Sequence, residues 1–293
     1  MARLMLTRRD ILLPERRPDS HKGENGKVLV IAGSREYTGA AFLAGLAAYL
    51  TGVDIVTVAA PEKVAWALNC LSPDLITVKV KGERFHERHA PAMARLAEQH
   101  DVVLLGNGLS RHPSTMAFVR KLLSSAKDVQ KWVLDADALK AIGGKDAVVR
   151  NAILTPHKGE LEAMLKNAGI SLSLTGRPEK DARLLQASLA ALLKEGNVLL
   201  VKGRVDLIVC EKRLRLNSTG NAGMTVGGTG DVLAGICAGF ASQTDSLFDA
   251  ACAAAYVNGA LGDVLQKSMG YGYIASDLVE LLPLYLAALS RRN

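Results

Sequence analysis

The chain has 293 residues, of which 49% are hydrophobic and 22% charged, and its formal net charge at pH 7 is +7. This composition excludes a disordered protein, and the length is compatible with one large α/β domain. The positive charge favours anionic ligands, but only 4% of the residues are aromatic, which disfavours a surface that stacks nucleic-acid bases.

Short apolar strands alternate with helices from the start of the chain. Residues 27–32 are a β-branched run that predicts a strand, and the Ala- and Leu-rich residues 39–51 predict a helix. This alternation predicts a mostly parallel sheet with helices on both faces. The further predicted strands are 54–59, 75–80, 101–105, 132–135, 152–154 and 198–201, and the further predicted helices are 61–70, 90–100, 113–125, 178–194 and one that starts at Gly159.

The last third of the chain follows a different pattern. Two predicted strands, 206–210 and 213–216, are separated by too few residues for a helix, so they predict a late β-hairpin. Three predicted helices follow, and no repeat or linker divides the chain. We therefore expect an N-terminal segment of residues 1–20 and a single domain of residues 21–293. The three helices are 229–240, 247–265 and 276–289.

The cysteines and the apolar runs bear on location. Cys237 and Cys252 lie in Ala-rich apolar segments typical of buried free thiols, and the four cysteines include no Cys-x-x-Cys pair. The first ten residues are too charged for a signal peptide, and no apolar run approaches the roughly 20 residues that cross a bilayer. We expect a cytoplasmic protein with neither nucleic-acid nor membrane partners.

The strongest motif is the glycine-rich turn Gly-Gly-Thr-Gly-Asp at 227–231, which leads into a predicted helix. Glycines allow close approach of a ligand, and a helix N-terminus presents free N–H groups, so the turn predicts an anion site. Bound phosphates would repel Asp231 unless it holds a metal or moves a proton, and we interpret it as a base for a substrate hydroxyl. The plainer alternative is a tight turn in which Asp231 caps the helix. The spacing matches neither a Walker A loop nor a Rossmann fingerprint.

Other candidate residues follow predicted strands, where open α/β sheets bind ligands. Residues 202–206, Lys-Gly-Arg-Val-Asp, supply cations and a flexible turn, although such a turn is also common on a solvated surface. His157 follows another strand; a lone histidine is more often structural than catalytic. Glu160 is suited to metal-bound water or simply to the helix dipole.

Small residues and an acidic pair follow three further strands. Ala40 opens the first helix and Gly108 follows the strand at 101–105; both would let a ligand approach the backbone, or they serve only packing and a turn. Asp135 and Asp137 are suited to metal or polar-substrate contacts, or to capping the next helix.

Together these segments resemble the ADP-dependent NAD(P)H-hydrate dehydratases, from about His21 to the final helix. The resemblance implies a three-layer ribokinase-like α/β fold. It also implies ADP-dependent dehydration of the S-form of hydrated NADH or NADPH, in which the ring hydroxyl is phosphorylated and phosphate then leaves. The similar segments are 21–28, 135–139, 155–160, 201–203 and 217–231.

The same resemblance implies roles for individual residues. Asp231 would be the base, while the N–H groups of Gly228, Thr229 and Gly230 stabilise the transferring phosphoryl group. ADP or ATP would be the donor, and Mg²⁺ an expected companion, with Glu160 organising its bound water. The hydrated dinucleotide would contact Ala40, Gly108, His157 and Asp231. The nucleotide would contact Lys202, Gly203, Arg204, Val205, Asp206 and Gly230.

Three positions depart from the pattern of the family. Asp206 stands where a hydroxyl or small polar residue is usual, so its role is open. Asn107 stands between two glycines where proline is common, and we expect the glycines rather than Asn107 to contact the ligand. Asn258 replaces a common histidine, so no proton transfer is expected there.

Two other functions are compatible with the glycine-rich turn. A small-molecule kinase, for hydroxyethylthiazole, a pyrimidine or a sugar, would release its phosphorylated product; a nucleotide sensor would bind without turnover. The lead-in at 217–224 and the Thr-Pro-His segment favour the dehydratase, and Asp231 argues against a sensor. The resemblance also implies a homo-oligomer such as a tetramer. Many relatives carry an N-terminal epimerase domain; the residues before His21 are too few, so we expect epimerisation by another protein or without catalysis.

Overall fold

A nine-stranded sheet forms the centre of the fold in a computed structural model that describes residues 4–126, 128–142 and 149–291. The strands are β1 (Lys27–Ile31), β2 (Ile55–Pro61), β3 (Ile76–Val80), β4 (Val102–Leu105), β5 (Lys131–Leu134), β6 (Ala152–Leu154), β7 (Val198–Val201), β8 (Asp206–Val209) and β9 (Leu214–Asn217). Their order is β3-β2-β1-β4-β5-β6-β7-β8-β9. The strands from β3 to β7 pair in parallel, and β8 and β9 pair antiparallel. The predicted parallel sheet and late hairpin are confirmed.

The helices cover both faces of this sheet. Within the described ranges they are α1 (Thr38–Tyr49), α2 (Glu62–Leu71), α3 (Ala90–Ala97), α4 (Pro113–Ser125), α5 (Asp137–Ala141), α6 (Lys158–Asn167), α7 (Pro178–Ser188), α8 (Ala190–Lys194), α9 (Thr229–Ser242), α10 (Leu247–Met269) and α11 (Ala275–Ser290). None of them is long and apolar enough to cross a membrane.

Two hydrophobic cores lie on opposite faces of the sheet. Successive residues of a strand point to opposite faces, so Val28 and Val30 join one core while Leu29 and Ile31 join the other. The first core packs α1, α2, α9, α10 and α11 against the sheet, and the second packs α3 to α8. The result is the three-layer α/β architecture that the sequence predicted.

Two sequence predictions about helices are wrong in detail. The helix predicted at 178–194 is two helices, because Leu189 has φ −107° and ψ 20°. Its N–H still donates to the carbonyl of Leu185 at 2.9 Å, so the break is a local kink. Pro61 does not start α2. It ends β2, opposite Val80, and its ψ of 142° is extended.

The strand order reverses beside β1, which lies between β2 and β4. In open α/β sheets the crevice beyond the carboxyl ends of the strands at such a point binds ligands. Here the loop after β1 contacts the loop after β4, because the N–H of Gly33 donates to the carbonyl of Asn107 at 2.8 Å. Asn107 and its neighbours therefore lie where such a crevice is expected.

The helices α1 and α9 approach closely enough to require small residues. A Cβ atom on Gly235 would lie 2.3 Å from the carbonyl oxygen of Ala44 and 2.9 Å from Cβ of Ala47. The oxygen is backbone and cannot move aside without shifting α1. Close packing of α1 and α9 matters for function because both helices start at the carboxyl end of the sheet.

We expect Gly235→Ala to lower the free energy of unfolding by about 1–3 kcal/mol, since the added methyl group overpacks this contact. Urea denaturation followed by circular dichroism measures the change. Gly39→Ala on α1 is the matched control, because nothing lies within 4 Å of the position that its Cβ atom would take and alanine favours helix. Equal stability of the two variants would contradict the predicted contact.

Candidate active site

The glycine-rich turn forms the N-terminus of α9. Gly228 is the N-cap residue and has φ +98°, a left-handed conformation that favours glycine. A Cβ atom there would also lie 2.7 Å from Cδ1 of Leu43 and 2.8 Å from Cβ of Ala275. No side chain caps the helix, and Asp231 lies in its first turn rather than at the cap. The alternative in which Asp231 is the N-cap is therefore wrong, and the first N–H groups remain available to an anion.

The side chain of Thr229 makes structural hydrogen bonds, so its backbone is the part that could contact a ligand. Its hydroxyl donates to the carbonyl of Met224 at 2.8 Å, which ties the 3₁₀ helix Ala222–Thr225 to the start of α9. The residue is 8% exposed. A ligand contact through its backbone N–H is compatible with these bonds and stays a prediction.

A cleft of about 770 Å³ opens beside this turn. Its volume suits a nucleotide-sized ligand. It brings together most of the predicted nucleotide residues and the lead-in to the turn, whereas Val205 is not among its lining residues. The lining residues are His157, Lys202, Gly203, Arg204, Asp206, Thr219, Gly220, Asn221, Ala222, Met224, Thr225, Val226, Gly228, Thr229, Gly230, Leu233, Ala255, Asn258 and Gly259.

A continuous polar network connects the turn to the strand ends. Nζ of Lys202 lies 2.8 Å from Oδ1 of Asp135, which also accepts from the hydroxyl of Thr155 at 2.8 Å. Nδ2 of Asn107 donates to Oδ2 of Asp135 at 2.9 Å and to Oδ1 of Asp231 at 2.7 Å. These side chains follow β4, β5, β6 and β7 or begin α9. The fold therefore brings five separate segments to one centre.

The environment of Asp231 adapts it to proton transfer near neutral pH. Burial raises the pKa of this carboxyl to about 6, and the negative charge of Asp135 acts in the same direction. The hydrogen bond from Asn107 and the charge of Lys202 oppose the rise. A carboxylate with such a pKa is ionised at pH 7 and is a stronger base than an ordinary aspartate.

Lys202 is held charged beside the glycine-rich turn. Burial alone would lower its pKa, but the charge and hydrogen bond of Asp135, with the charges of Glu160 and Asp231, outweigh burial and raise it. Nζ lies 3.5 Å from where a Cβ of Gly230 would stand. The ammonium group therefore adds a full positive charge to the N–H groups of α9.

Asp206 holds the turn at 202–206 in shape. Its Oδ1 accepts from the N–H of Gly203 at 3.0 Å, and its Oδ2 accepts from Nδ2 of Asn217 at 2.9 Å. Burial raises its pKa to about 6 despite these bonds and the charge of Lys202. The departure from the family pattern thus has a structural function, in a residue that also lines the cleft.

His157 and Glu160 cap α6 reciprocally. Nδ1 of His157 accepts from the N–H of Gly159 at 3.0 Å and of Glu160 at 3.3 Å, while Oε2 of Glu160 accepts from the N–H of His157 at 3.0 Å. Nε2 of His157 lies 3.4 Å from Oε1 of Glu160. His157 nevertheless lines the cleft with a side chain that is 59% exposed. A structural role for His157, the alternative that the sequence left open, is therefore compatible with a ligand contact.

Ala40 and Gly108 lie side by side where the strand order reverses. A Cβ atom on Gly108 would lie 2.9 Å from Cβ of Ala40 and 2.7 Å from Cβ of Tyr37, and Gly108 has φ +63°. Neither Ala40 nor Gly108 lines the cleft described above. Asn107, the residue before Gly108, donates to Asp231, which directly follows the cleft residue Gly230. Contact of the pair with a dinucleotide stays a prediction.

Sequence reasoning assigned no contact to Asn107, yet Asn107 is fully buried and binds Asp231 directly. It also passed over Asp263, whose carboxylate accepts from the N–H of Gly220 at 2.9 Å and from Nδ2 of Asn221 at 3.1 Å, and so shapes the cleft wall. A polar residue between Gly106 and Gly108 after a buried strand was the available signal for Asn107. No comparable signal marks Asp263 on α10.

The three-layer fold and the site define a protein of ribokinase-like fold with a candidate anion-binding centre at the carboxyl end of its sheet. The chain belongs to the NAD(P)H-hydrate dehydratase family, whose model matches residues 28–284. The family resemblance stated from the sequence motifs is confirmed.

Three relatives illustrate this membership. The bifunctional NAD(P)H-hydrate repair enzyme of Pyrobaculum aerophilum is 43% identical over 92% of this chain, and the chain spans 52% of its length, about half. The ADP-dependent (S)-NAD(P)H-hydrate dehydratase of Cenarchaeum symbiosum is 36% identical over 97% of this chain and 96% of its own. The ADP/ATP-dependent NAD(P)H-hydrate dehydratase of Bacillus subtilis, co-crystallised with ATP/Mg²⁺, has a TM-score of 0.73 and 26% identity over 96% of both chains.

Proposed function

We propose that this chain catalyses the ADP-dependent dehydration of the S-form of hydrated NADH or NADPH and so restores the reduced cofactor. The observation that carries the proposal is the position of Asp231, a carboxylate with a pKa of about 6 in the first turn of α9. Asp231 directly follows Gly230, which lines the cleft of nucleotide size, and its Oδ1 accepts from Nδ2 of Asn107, the residue before Gly108. A base between two ligands is what transfer of a phosphoryl group to a substrate hydroxyl requires.

The first step transfers the terminal phosphoryl group. The ring hydroxyl oxygen of the substrate forms a bond to the terminal phosphorus, the bond to AMP breaks, and Asp231 receives the hydroxyl proton. The N–H groups of Gly228, Thr229 and Gly230 stabilise charge on the phosphoryl oxygens, and Lys202 adds a cation. The carbon–oxygen bond then breaks with phosphate as the leaving group, and loss of a ring proton restores the double bond.

The donor set suits Mg²⁺ only as an ion held mainly by phosphates and water. Within the part of the chain that the structure describes, no group of three or more His, Cys, Asp or Glu side chains could hold a metal. We assign Glu160, which is 6% exposed and lies 3.9 Å from Nζ of Lys202, as the residue that would orient metal-bound water. Mg²⁺ commonly retains several waters and binds substrate phosphates, so this arrangement fits it. When bound, it would neutralise phosphate charge.

The names of the relatives support the choice of donor and substrate. The Cenarchaeum relative is named for ADP and for the S-form of the hydrate, and the Bacillus enzyme is named for both ADP and ATP. We therefore propose ADP as the donor, with ATP as a second one. A homo-oligomeric state and a cytoplasmic location stay predictions; the four cysteines are free, and Cys237 and Cys252 are buried as expected.

The deciding experiment incubates the protein with hydrated NADH or NADPH, ADP and Mg²⁺ and follows recovery of the absorbance of the reduced nicotinamide. Recovery that requires both protein and ADP, with equimolar AMP and phosphate as products, supports the proposal. A stable phosphorylated product from another hydroxyl compound, without recovery of absorbance, would instead identify a small-molecule kinase. Nucleotide binding without any turnover would identify a sensor.

The pH dependence of this reaction tests the assignment of the base. Asp231 accepts a proton only when ionised, and its pKa is raised to about 6, so kcat/KM is expected to fall as the pH drops through about 6. Initial rates between about pH 5 and 8 at saturating ADP measure this acid limb. Asp206 has a similar pKa, so Asp206→Asn is the control. If the acid limb vanishes in Asp206→Asn, the titrating group is not Asp231.

A further inference from the structure

We propose that Asn107 is a positioning residue whose amide group fixes one oxygen of Asp231 and leaves the other, Oδ2, as the atom that accepts the substrate proton. The inference rests on the proposed function for the identity of that proton. It concerns a residue that was not expected to contact the ligand. Its basis is the geometry of a single buried amide between two carboxylates.

The orientation of this amide is determined by its neighbours. Nδ2 of Asn107 lies 2.7 Å from Oδ1 of Asp231 and 2.9 Å from Oδ2 of Asp135. An amide has two N–H donors on nitrogen and only acceptor lone pairs on oxygen, and a carboxylate is acceptor-only when ionised. A flipped amide would direct its oxygen at both carboxylates. Asn107 must therefore donate one hydrogen to each.

The position of Asn107 is itself fixed by the backbone. Its carbonyl accepts from the N–H of Gly33 at 2.8 Å, which joins the end of β4 to the end of β1. Asp135 is fixed in turn by Lys202 and Thr155, each 2.8 Å from its Oδ1. The amide thus connects Asp231, at the start of α9, to residues that the sheet holds in place.

The two carboxylates differ in which of their oxygens accept hydrogen bonds. Both oxygens of Asp135 accept hydrogen bonds. Of the two oxygens of Asp231, only Oδ1 accepts a hydrogen bond from the described residues, and its donor is Asn107. Oδ2 of Asp231 remains for the substrate. Oδ1 of Asn107 is buried and has no hydrogen-bond partner within the described part of the chain. An unsatisfied buried oxygen is unfavourable, which is consistent with an amide retained for what its nitrogen does.

The charged groups that face Asp231 are Asp135 and Lys202, and the amide lies between the two carboxylates. The hydrogen bond from Asn107 stabilises the ionised form of Asp231. Without this hydrogen bond, burial and the negative charge of Asp135 raise the pKa of Asp231 further. Loss of the amide therefore has two consequences, a mobile base and a higher pKa for Asp231.

The test uses two substitutions in the full chain, Asn107→Asp and Asn107→Ala. Asn107→Asp keeps the volume but replaces the donor with a third acid, and Asn107→Ala removes the donor. In both we expect kcat to fall by about 10- to 100-fold, since a misplaced base costs this much. We also expect the acid limb of kcat/KM to move upward, by about one pH unit or more in Asn107→Asp. ADP affinity, measured by calorimetry, should stay within about threefold.

The matched control is Asn197, another fully buried asparagine that donates from Nδ2 to two carbonyls, at 2.7 Å and 2.8 Å, away from the site. Asn197→Asp should lower thermal stability and leave the acid limb near its original position. If both Asn107 variants keep the original acid limb, or if Asn197→Asp moves it equally, Asn107 only packs the core and the proposal is overturned.

A second readout separates this proposal from the proposed function. Carbon-13 NMR of the Asp231 carboxyl, assigned by its loss in Asp231→Asn, follows the titration without any substrate. If the pKa of Asp231 rises in Asn107→Asp but not in Asn197→Asp, the positioning contact is supported even if the wild-type protein repairs no hydrate. An unshifted Asp231 titration overturns it even if the wild-type protein is active.

Discussion

Asp231→Asn is expected to lower kcat by about 10³-fold or more while changing the dissociation constant of ADP by less than about threefold, because asparagine cannot accept the hydroxyl proton. The two side chains have nearly the same shape. The amide oxygen of the new side chain can still accept from Nδ2 of Asn107, which binds Oδ1 of Asp231 at 2.7 Å. The N–H groups of Gly228, Thr229 and Gly230 are untouched, so the proposed phosphate site remains.

Steady-state rates with hydrated NADH and calorimetric titration with ADP measure the two quantities separately. Asp249→Asn is a suitable control, because Asp249 lies in the first turn of α10 and pairs with Arg213 outside the cleft. Retention of full turnover in Asp231→Asn would show that another group is the base. Loss of ADP binding would show that Asp231 contributes to the nucleotide site instead.

The direction of any small change in ADP affinity would also be informative. Asp231 is negatively charged at pH 7, and in the proposed function its turn binds phosphates, so we expect its charge to oppose nucleotide binding. Removal of that charge should not weaken ADP binding. In the proposed function, the negative charge of Asp231 therefore lowers the affinity for ADP, and this loss is offset by proton transfer during the reaction.

Local pattern was sufficient to predict most of the fold. The run Val198–Val201 and the helix Pro113–Ser125 have the bounds that their sequences predicted, because a β-branched apolar run and a proline at the first helical position are local signals. The kink at Leu189 has no such signal, since leucine is a good helix former. Its backbone angles depend on packing rather than on propensity.

The site was predictable only in part, for a similar reason. The turn that ends in Asp231, and Lys202, were candidate site residues because glycines before a helix and a lysine after a strand are local signals that favour anion binding. The role of Asn107 depends on contacts with Asp135 and Asp231, which are 28 and 124 residues away in sequence. Such contacts follow from the order of β4, β5 and α9 in space, and residue type alone carries no information about them.

Lys202 is the second residue at which a substitution should have a large effect. We expect Lys202→Met to weaken ADP binding by about 10- to 100-fold, because a charged contact to phosphate is lost. The substitution also leaves Asp135, whose side chain is 3% exposed, without its cation. Breaking a buried pair costs about 3–5 kcal/mol, so the free energy of unfolding should fall as well.

A double substitution separates these two effects of Lys202. Asp135→Asn removes the buried charge that Lys202→Met leaves uncompensated, while the new amide oxygen can still accept from Thr155. Lys202→Met with Asp135→Asn should therefore recover part of the lost stability in urea denaturation but not the lost ADP affinity. The recovery is partial because the new Nδ2 faces Nδ2 of Asn107, which donates to Oδ2 of Asp135 in the wild-type protein. Wild-type ADP affinity in Lys202→Met would exclude Lys202 from the nucleotide site. If affinity returned together with stability in the double variant, Lys202 would act only by holding the site together, and the N–H groups of α9 would bind the phosphates alone.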